Sequence, residues 1–387
     1  MKYDFDPTRV QLFPVSERTT KSPIADGIML GKKGVAVDPD SVPPTLHDSQ
    51  YSVIEKTADN ILKARGNGSA VMLAYGAHSI KNGLGPVLRR MAEEGFVTHL
   101  ATNGAGVIHD WEFAYMGKTE EDVRENVAEG KFGTWHETTS YLNMCLLIAA
   151  YEGKGYGESI SEMVHSDMLH IPSFGSLAGD AQSILSAQID TGISSAGAND
   201  LYHALKQYAP LFGVAPGEPK LIPHPFKQFS VLDASHTTSV PLTVHPQLGH
   251  DIIYTNPGVS FAAIGRAAQK DWNTYCNGVF NLDGGVYLSV GSAIMSPMIF
   301  EKALSMARNV AIQDGRTIND FAIVVNDIQE GNWKWGTGDE PPKSDAAYYL
   351  RFCKTFDRMG ARDMDYVCAD NKAFVHNLYH VLHQKAV

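Results

Sequence analysis

The chain is poor in cysteine, in long apolar runs and in positive charge, and each shortage removes a class of protein. Its 387 residues hold four cysteines. These are Cys145, Cys276, Cys353 and Cys368, with no CxxC pair among them, which excludes a disulfide scaffold and points to a reducing compartment. The longest apolar stretches, such as 144–151, fall far short of the roughly 20 residues a membrane helix needs. The opening residues Met1 to Pro7 contain no apolar run of the signal-peptide kind, so a soluble cytoplasmic protein is expected. Lys plus Arg is 32 against 43 for Asp plus Glu, a formal net charge of −11, and the basic face of a general nucleic-acid backbone binder is therefore missing. The patterns GxSxG, GxxxxGK[ST] and HExxH are absent too, which leaves serine-hydrolase, Walker-type NTPase and zinc-protease readings without support.

What is present suits a well-cored globular protein: 44% hydrophobic residues, 10% aromatics, 35 Gly and 19 Pro. Prolines 7, 14, 23, 39, 43 and 44 interrupt the first segment, so residues 1–48 read as an extended N-terminal arm. Residues 49–387 read as one α/β domain. Within it, 50–65 has helical spacing (Val53, Ile54, Ala58, Ile61, Leu62) and stops at Gly66-Asn67-Gly68. Residues 70–75 form a short continuous apolar run, the mark of a strand buried on both faces. A helix over 80–94, a strand over 96–101 and a glycine turn over 102–106 complete a βαβ unit. The same grammar returns in the strands expected at 240–244, 286–290, 320–326 and 366–367, with helices at 260–272 and 297–309. Repeated units of this kind predict a doubly wound parallel sheet, whose ligands sit outside the carboxyl ends of the strands.

Four stretches at those ends carry candidate chemistry. Thr102, Asn103, Gly104, Ala105 and Gly106, followed by Asp110, place glycines after a strand, where backbone N–H groups can approach a pyrophosphate or ribose; a purely structural turn is equally open. Gly284 to Ser292, with Gly291 at its end, is either a second wall of that site or a strand packed closely on a helix. His224, His236, His245 and His250 lead into Asp251. No metal-ligand spacing occurs among them, so no metal is expected; loop hydrogen bonding, or ligand contact through Asp251, is the preferred reading. Lys354 has the amine chemistry of an imine-forming nucleophile, although most lysines are solvated charges.

The order of these pieces resembles the deoxyhypusine synthase family, including its homospermidine-forming bacterial relatives, over about residues 50–380. Thr102 to Asp110 is similar to the family's TTAGGxEED turn and Leu248 to Asp251 to its GSLGD segment. Gly285 to Asn309 resembles its strand-glycine-helix segment, Asn326 to Glu330 its NTAQE loop, and Ala369-Asp370 its ADAS turn. The resemblance implies a Rossmann-like fold binding NAD at Thr102 to Gly106, Asp110, Gly291, Asp327 and Asp370. It also implies an amine or polyamine such as spermidine near His250 and Asp251, aminoalkyl transfer through an imine at Lys354, and a homodimer or homotetramer with interface active sites. Ser292 to Pro297 stands where the family has a Lys-His-His cluster, and the WGK motif around its lysine is absent. Two other readings stay open: a ligand-binding or assembly protein on the same fold, and an NAD-independent enzyme using the His236, His245 and His250 loop.

Overall fold

The computed structural model describes residues 5–23, 36–186, 195–331 and 333–386. Its central feature is one six-stranded sheet formed by β1 (Val71–Tyr75), β2 (His99–Thr102), β3 (Leu242–Val244), β4 (Val286–Val290), β5 (Ala322–Asp327) and β6 (Asp363–Cys368). The spatial order is β3-β2-β1-β4-β5-β6, and every neighbouring pair is parallel. That is the strand order of dinucleotide-binding folds, with the topological switch between β1 and β4. The protein is thus a Rossmann-like, doubly wound α/β structure.

The apolar runs explain why both faces are covered. Val71, Leu73 and Tyr75 of β1 belong to one hydrophobic cluster, while Met72 and Ala74 belong to the other, as the two-residue period of a strand requires. Helices Asp48–Asn67, Gly104–Met116, His136–Glu152 and Asn371–Ala386 cover the first face; Met295–Gln313 and Arg351–Asp357 cover the second.

Two local features depart from the sequence reading, and the arm makes contacts the sequence did not show. The helix expected over 80–94 is two, Ala77–Lys81 and Gly85–Glu93, because Gly83 takes a left-handed φ of 84° between them. The glycine turn at 102–106 is the start of a helix, Gly104–Met116, whose N-cap Asn103 accepts from Gly106 N at 2.9 Å. The arm is tied into the body: Thr20–Pro23 pairs antiparallel with Lys118–Glu121, Phe13 bridges Trp135, and Arg18 is buried. Between β2 and β3 the chain makes a largely helical excursion that periodicity did not reveal. Its helix His136–Glu152 is buried nearly all round, so it has no polar face to set a 3.6-residue rhythm.

Candidate functional site

A cavity of about 220 Å³ opens beside the carboxyl end of β2. One wall is a single face of the helix Gly104–Met116, formed by Ala105, Ile108, His109 and Glu112, positions that helical spacing stacks together. The loop carrying His250 and Asp251 forms another wall. Lys81, Glu120, Glu121 and, from the N-terminal arm, Arg18 complete the polar lining.

Asp251 is the most exceptional group here. Its Oδ2 is buried and has no hydrogen-bond partner, whereas buried polar atoms are normally paired. Its carboxyl lies against Gly104, so closely that a β-carbon at that position would collide with it. Burial raises its pKa to about 6, partly offset by His250 and the Ala105 N–H. Two more buried oxygens without partners, Tyr156 Oη and Tyr254 Oη, are held protonated first by burial and then by the Asp251 charge.

The rest of the cavity is tightly wired. Arg18 donates two bonds to Glu112, at 2.7 and 2.8 Å, and both side chains are 1% exposed. Burial is the largest influence on Glu112 and would raise its pKa, but the Arg18 guanidinium and the Thr119 hydroxyl together hold the carboxyl low. Thr138 and Thr119 hydroxyls donate to the same carboxylate at 2.8 and 2.5 Å. His109 Nδ1 lies 2.8 Å from Thr119 Oγ1, and burial lowers the imidazole pKa to about 4. Lys81 pairs with Glu120 at 3.0 Å. Glu121 accepts from Trp135 Nε1 and Asn126 Nδ2, each at 2.8 Å. With carboxylates at 112, 120, 121 and 251 facing the cations at 18 and 81, the lining favours a cationic ligand.

The residues singled out by sequence fall into separate groups. Thr102 Oγ1 donates to Tyr75 O at 2.9 Å, Gly104 lies under Asp251, and Gly106 packs against Thr102. Ala105 and Asp251 line the cavity together with His250. Asp110 is corrected from cofactor contact to cap: it accepts from Ser230 Oγ, Val231 N and Leu232 N at 2.6, 3.1 and 2.9 Å, closing the start of the helix Val231–Thr238. At the 102–106 turn Asn103 caps the Gly106 N–H and the Asp251 carboxyl faces the helix start, and a negative charge there disfavours an anion.

Gly291, Asp327 and Asp370 do come together, at the ends of β4, β5 and β6. Gly291 N donates to Asn326 O at 2.9 Å, and Ala369 N to Asp327 O at 3.0 Å. Between them Asn326 Nδ2 donates to Ala369 O at 2.8 Å, while the buried Asn326 Oδ1 has no partner. A buried acceptor without a partner suits hydroxyl and amide donors, the groups a dinucleotide offers through its ribose and carboxamide. At the switch itself, Gly76 and Gly291 touch so closely that a side chain on Gly76 would strike the Gly291 carbonyl.

Lys354 lies in the helix Arg351–Asp357, paired with Glu340 at 3.0 Å and 4.1 Å from the Tyr348 ring centroid. Within one chain it does not line the Asp251 cavity. The histidines scatter as well. His236 stacks on His165 with centroids 4.3 Å apart, His245 Nε2 lies 3.1 Å from Thr243 Oγ1, and His250 is at the cavity. Among the described residues no group of three or more His, Cys, Asp or Glu side chains is arranged to hold a metal ion, and no helix is long and apolar enough to cross a membrane. Sequence reasoning missed Arg18, Glu112 and Thr119. Only the His109–Glu112 spacing, one helical turn, carried a signal that could have found any of them.

No protein-family model and no curated protein matches the chain. Solved structures similar to it include a conserved protein assigned to LOR/SDH from Methanococcus maripaludis S2, at 12% identity and a TM-score of 0.43 over 89% of this chain and 74% of that one. The ternary complex of AgrE with ornithine and NAD+ aligns at 14% identity and 0.44 over 89% of this chain and 34% of AgrE, so the chain spans about a third of AgrE's length. A protein assigned as deoxyhypusine synthase from Entamoeba histolytica aligns at 9% identity and 0.36 over 87% and 88%. Likenesses of this depth assign no activity to the chain.

Proposed function

We propose that the protein is an NAD-using enzyme of amine metabolism, with the ammonium group of a small amine or polyamine held at Asp251. The observation that carries this reading is the buried, unpartnered Asp251 Oδ2 in an acidic cavity at the carboxyl edge of the sheet. A carboxylate so placed is costly unless a cation joins it. An ammonium supplies that charge together with N–H donors, and it turns the orphaned acceptor into a charge-assisted hydrogen bond. Asn326, Asp327 and Asp370 are the residues we assign to NAD, which when bound supplies a hydride acceptor. Burial by the arm residue Arg18 and its partner Glu112 keeps bulk water from one side of the amine site. Lys354 remains a candidate for aminoalkyl transfer only through a neighbouring subunit. The homo-oligomer this requires is supported by Ile294, Met298, Met306 and Val310. These are exposed along and just before the helix Met295–Gln313, spaced by four, eight and four residues with Lys302 in the gap.

Calorimetric titration of the purified protein with 1-aminobutane, spermidine and NAD tests the reading. Amine binding that Asp251→Asn abolishes, together with NAD binding that Asn326→Ala weakens, is the expected result. Absence of heat and of thermal shift with every amine at millimolar concentration overturns it.

A further inference from the structure

We propose that His109 is a second ligand-contacting residue of this cavity: its Nε2 is a fixed acceptor for a second N–H or O–H group on the amine whose ammonium sits at Asp251. The proposal rests on the Asp251 reading above. It follows from counting protons along one hydrogen-bonded chain. Glu112 is a carboxylate held by Arg18 and can only accept. Thr119 Oγ1 lies 2.5 Å from Glu112 Oε2, so the single hydroxyl proton of Thr119 is committed to that bond. The 2.8 Å contact between Thr119 Oγ1 and His109 Nδ1 then needs its proton from the ring. His109 is accordingly the Nδ1–H tautomer, and Nε2 carries a lone pair on a ring that lines the cavity.

The same surroundings keep the ring neutral. Burial dominates in lowering its pKa to about 4, with Lys81 and Arg18 acting in the same direction and Glu112 and Glu120 opposing them. A neutral imidazole so far below the pKa of an alkylammonium ion is a poor base for it but a good hydrogen-bond acceptor. His109 therefore reads the ligand instead of deprotonating it. A cavity of about 220 Å³ is below the roughly 300 Å³ at which drug-sized sites begin, so the two donors belong to one small aliphatic molecule, an amino alcohol or a diamine. Toward the His109 ring, Arg18, Glu112 and Thr119 are positioning residues, which fix its tautomer.

Two measurements test this. In protein carrying 15N-labelled histidine at pH 7, His109 is expected to show a protonated Nδ1 and an unprotonated Nε2, with Thr119→Val releasing the ring into a tautomer mixture. In calorimetry, 4-amino-1-butanol is expected to bind about tenfold more tightly than 1-aminobutane, the gain of roughly one hydrogen bond. His109→Leu is expected to erase that preference. A proton on Nε2 in the free protein, equal affinities in the unaltered protein, or a preference that survives His109→Leu overturns the proposal. Binding of 1-aminobutane that Asp251→Asn abolishes upholds the Asp251 reading by itself, so equal affinities on that background count against His109 alone. No binding of either amine overturns both.

Discussion

Gly104 and Asp251 share one space: the carboxyl of the second occupies the position where a β-carbon on the first would lie. The helix Gly104–Met116 can start there only because residue 104 has no side chain, and the start of that helix in turn meets the carboxyl that faces the cavity. Replacing Gly104 by Ala is expected to displace the Asp251 carboxyl and to weaken amine binding by at least tenfold. Helix propensity favours Ala over Gly by about 1 kcal/mol, so a melt followed by circular dichroism should show the fold retained. A variant that binds amines as the parent does would mean that the Gly104 contact does not position the carboxyl.

Amine affinity should depend on pH through Asp251. Its pKa is raised to about 6 by burial, and only the carboxylate attracts an ammonium. Affinity is therefore expected to climb by up to tenfold per pH unit below 6 and to level off above it, with proton release accompanying binding near pH 6. Calorimetry between pH 5 and 7.5 in buffers of different ionisation enthalpy measures both effects, and Asp251→Asn should remove them.

Fold stability carries a separate signature from Asp271. One oxygen of this buried side chain accepts from Gly157 N at 3.0 Å and Val244 N at 2.8 Å, and burial raises its pKa from 3.8 to about 7. A folded-state pKa above the unfolded value means stability that is present below about pH 4 and lost as pH rises through 7. Asp271→Asn keeps an acceptor oxygen without the titration. The variant should therefore gain stability relative to the parent between pH 4 and 7, by an amount on the order of a few kcal/mol. Urea unfolding of both proteins across that range checks the sign. A constant difference would show that Asp271 titrates alike in both states.

Arg18 ties the N-terminal arm to the cavity. Truncating it leaves Glu112 charged and buried without its cation, a loss of about 3–5 kcal/mol for pairs of this kind. Arg18→Ala is expected to lower the unfolding midpoint steeply, and adding Glu112→Gln should recover part of the loss. Equal midpoints for Arg18→Ala and the parent would show that the pair adds nothing to the fold.

Much of the sheet was legible because the information is local. A run such as Val71 to Tyr75 is apolar throughout, and only a strand buried on both faces uses such a run well. Val286–Val290 matched residue for residue, since glycines bound it on both sides. The helix His136–Glu152 between β2 and β3 was not legible, because it is buried on nearly every face, with Thr138, Thr139, Ser140 and Asn143 buried beside its apolar residues, so polarity does not alternate with burial. At the site, Asp251 stood out by its histidine-rich loop and by the resemblance of Leu248 to Asp251 to a GSLGD segment, and the structure places it at a cavity. Asp110 was drawn in by proximity in sequence to the glycine turn, yet helix geometry turns it toward Ser230 instead.

The physical reason for the division is range. Burial of a strand, the end of a helix at a glycine and the lack of any membrane-length apolar run are set within a few neighbours, and so the parallel α/β architecture could be read from the chain. The hydrogen-bonded series Arg18, Glu112, Thr119 and His109 joins the arm, a helix and a short strand. Asp251 reaches the start of that helix from far along the chain. Which of fifteen histidines keeps a bare nitrogen, and which of many carboxylates lacks a partner, is decided only when those segments pack and water is removed from between them.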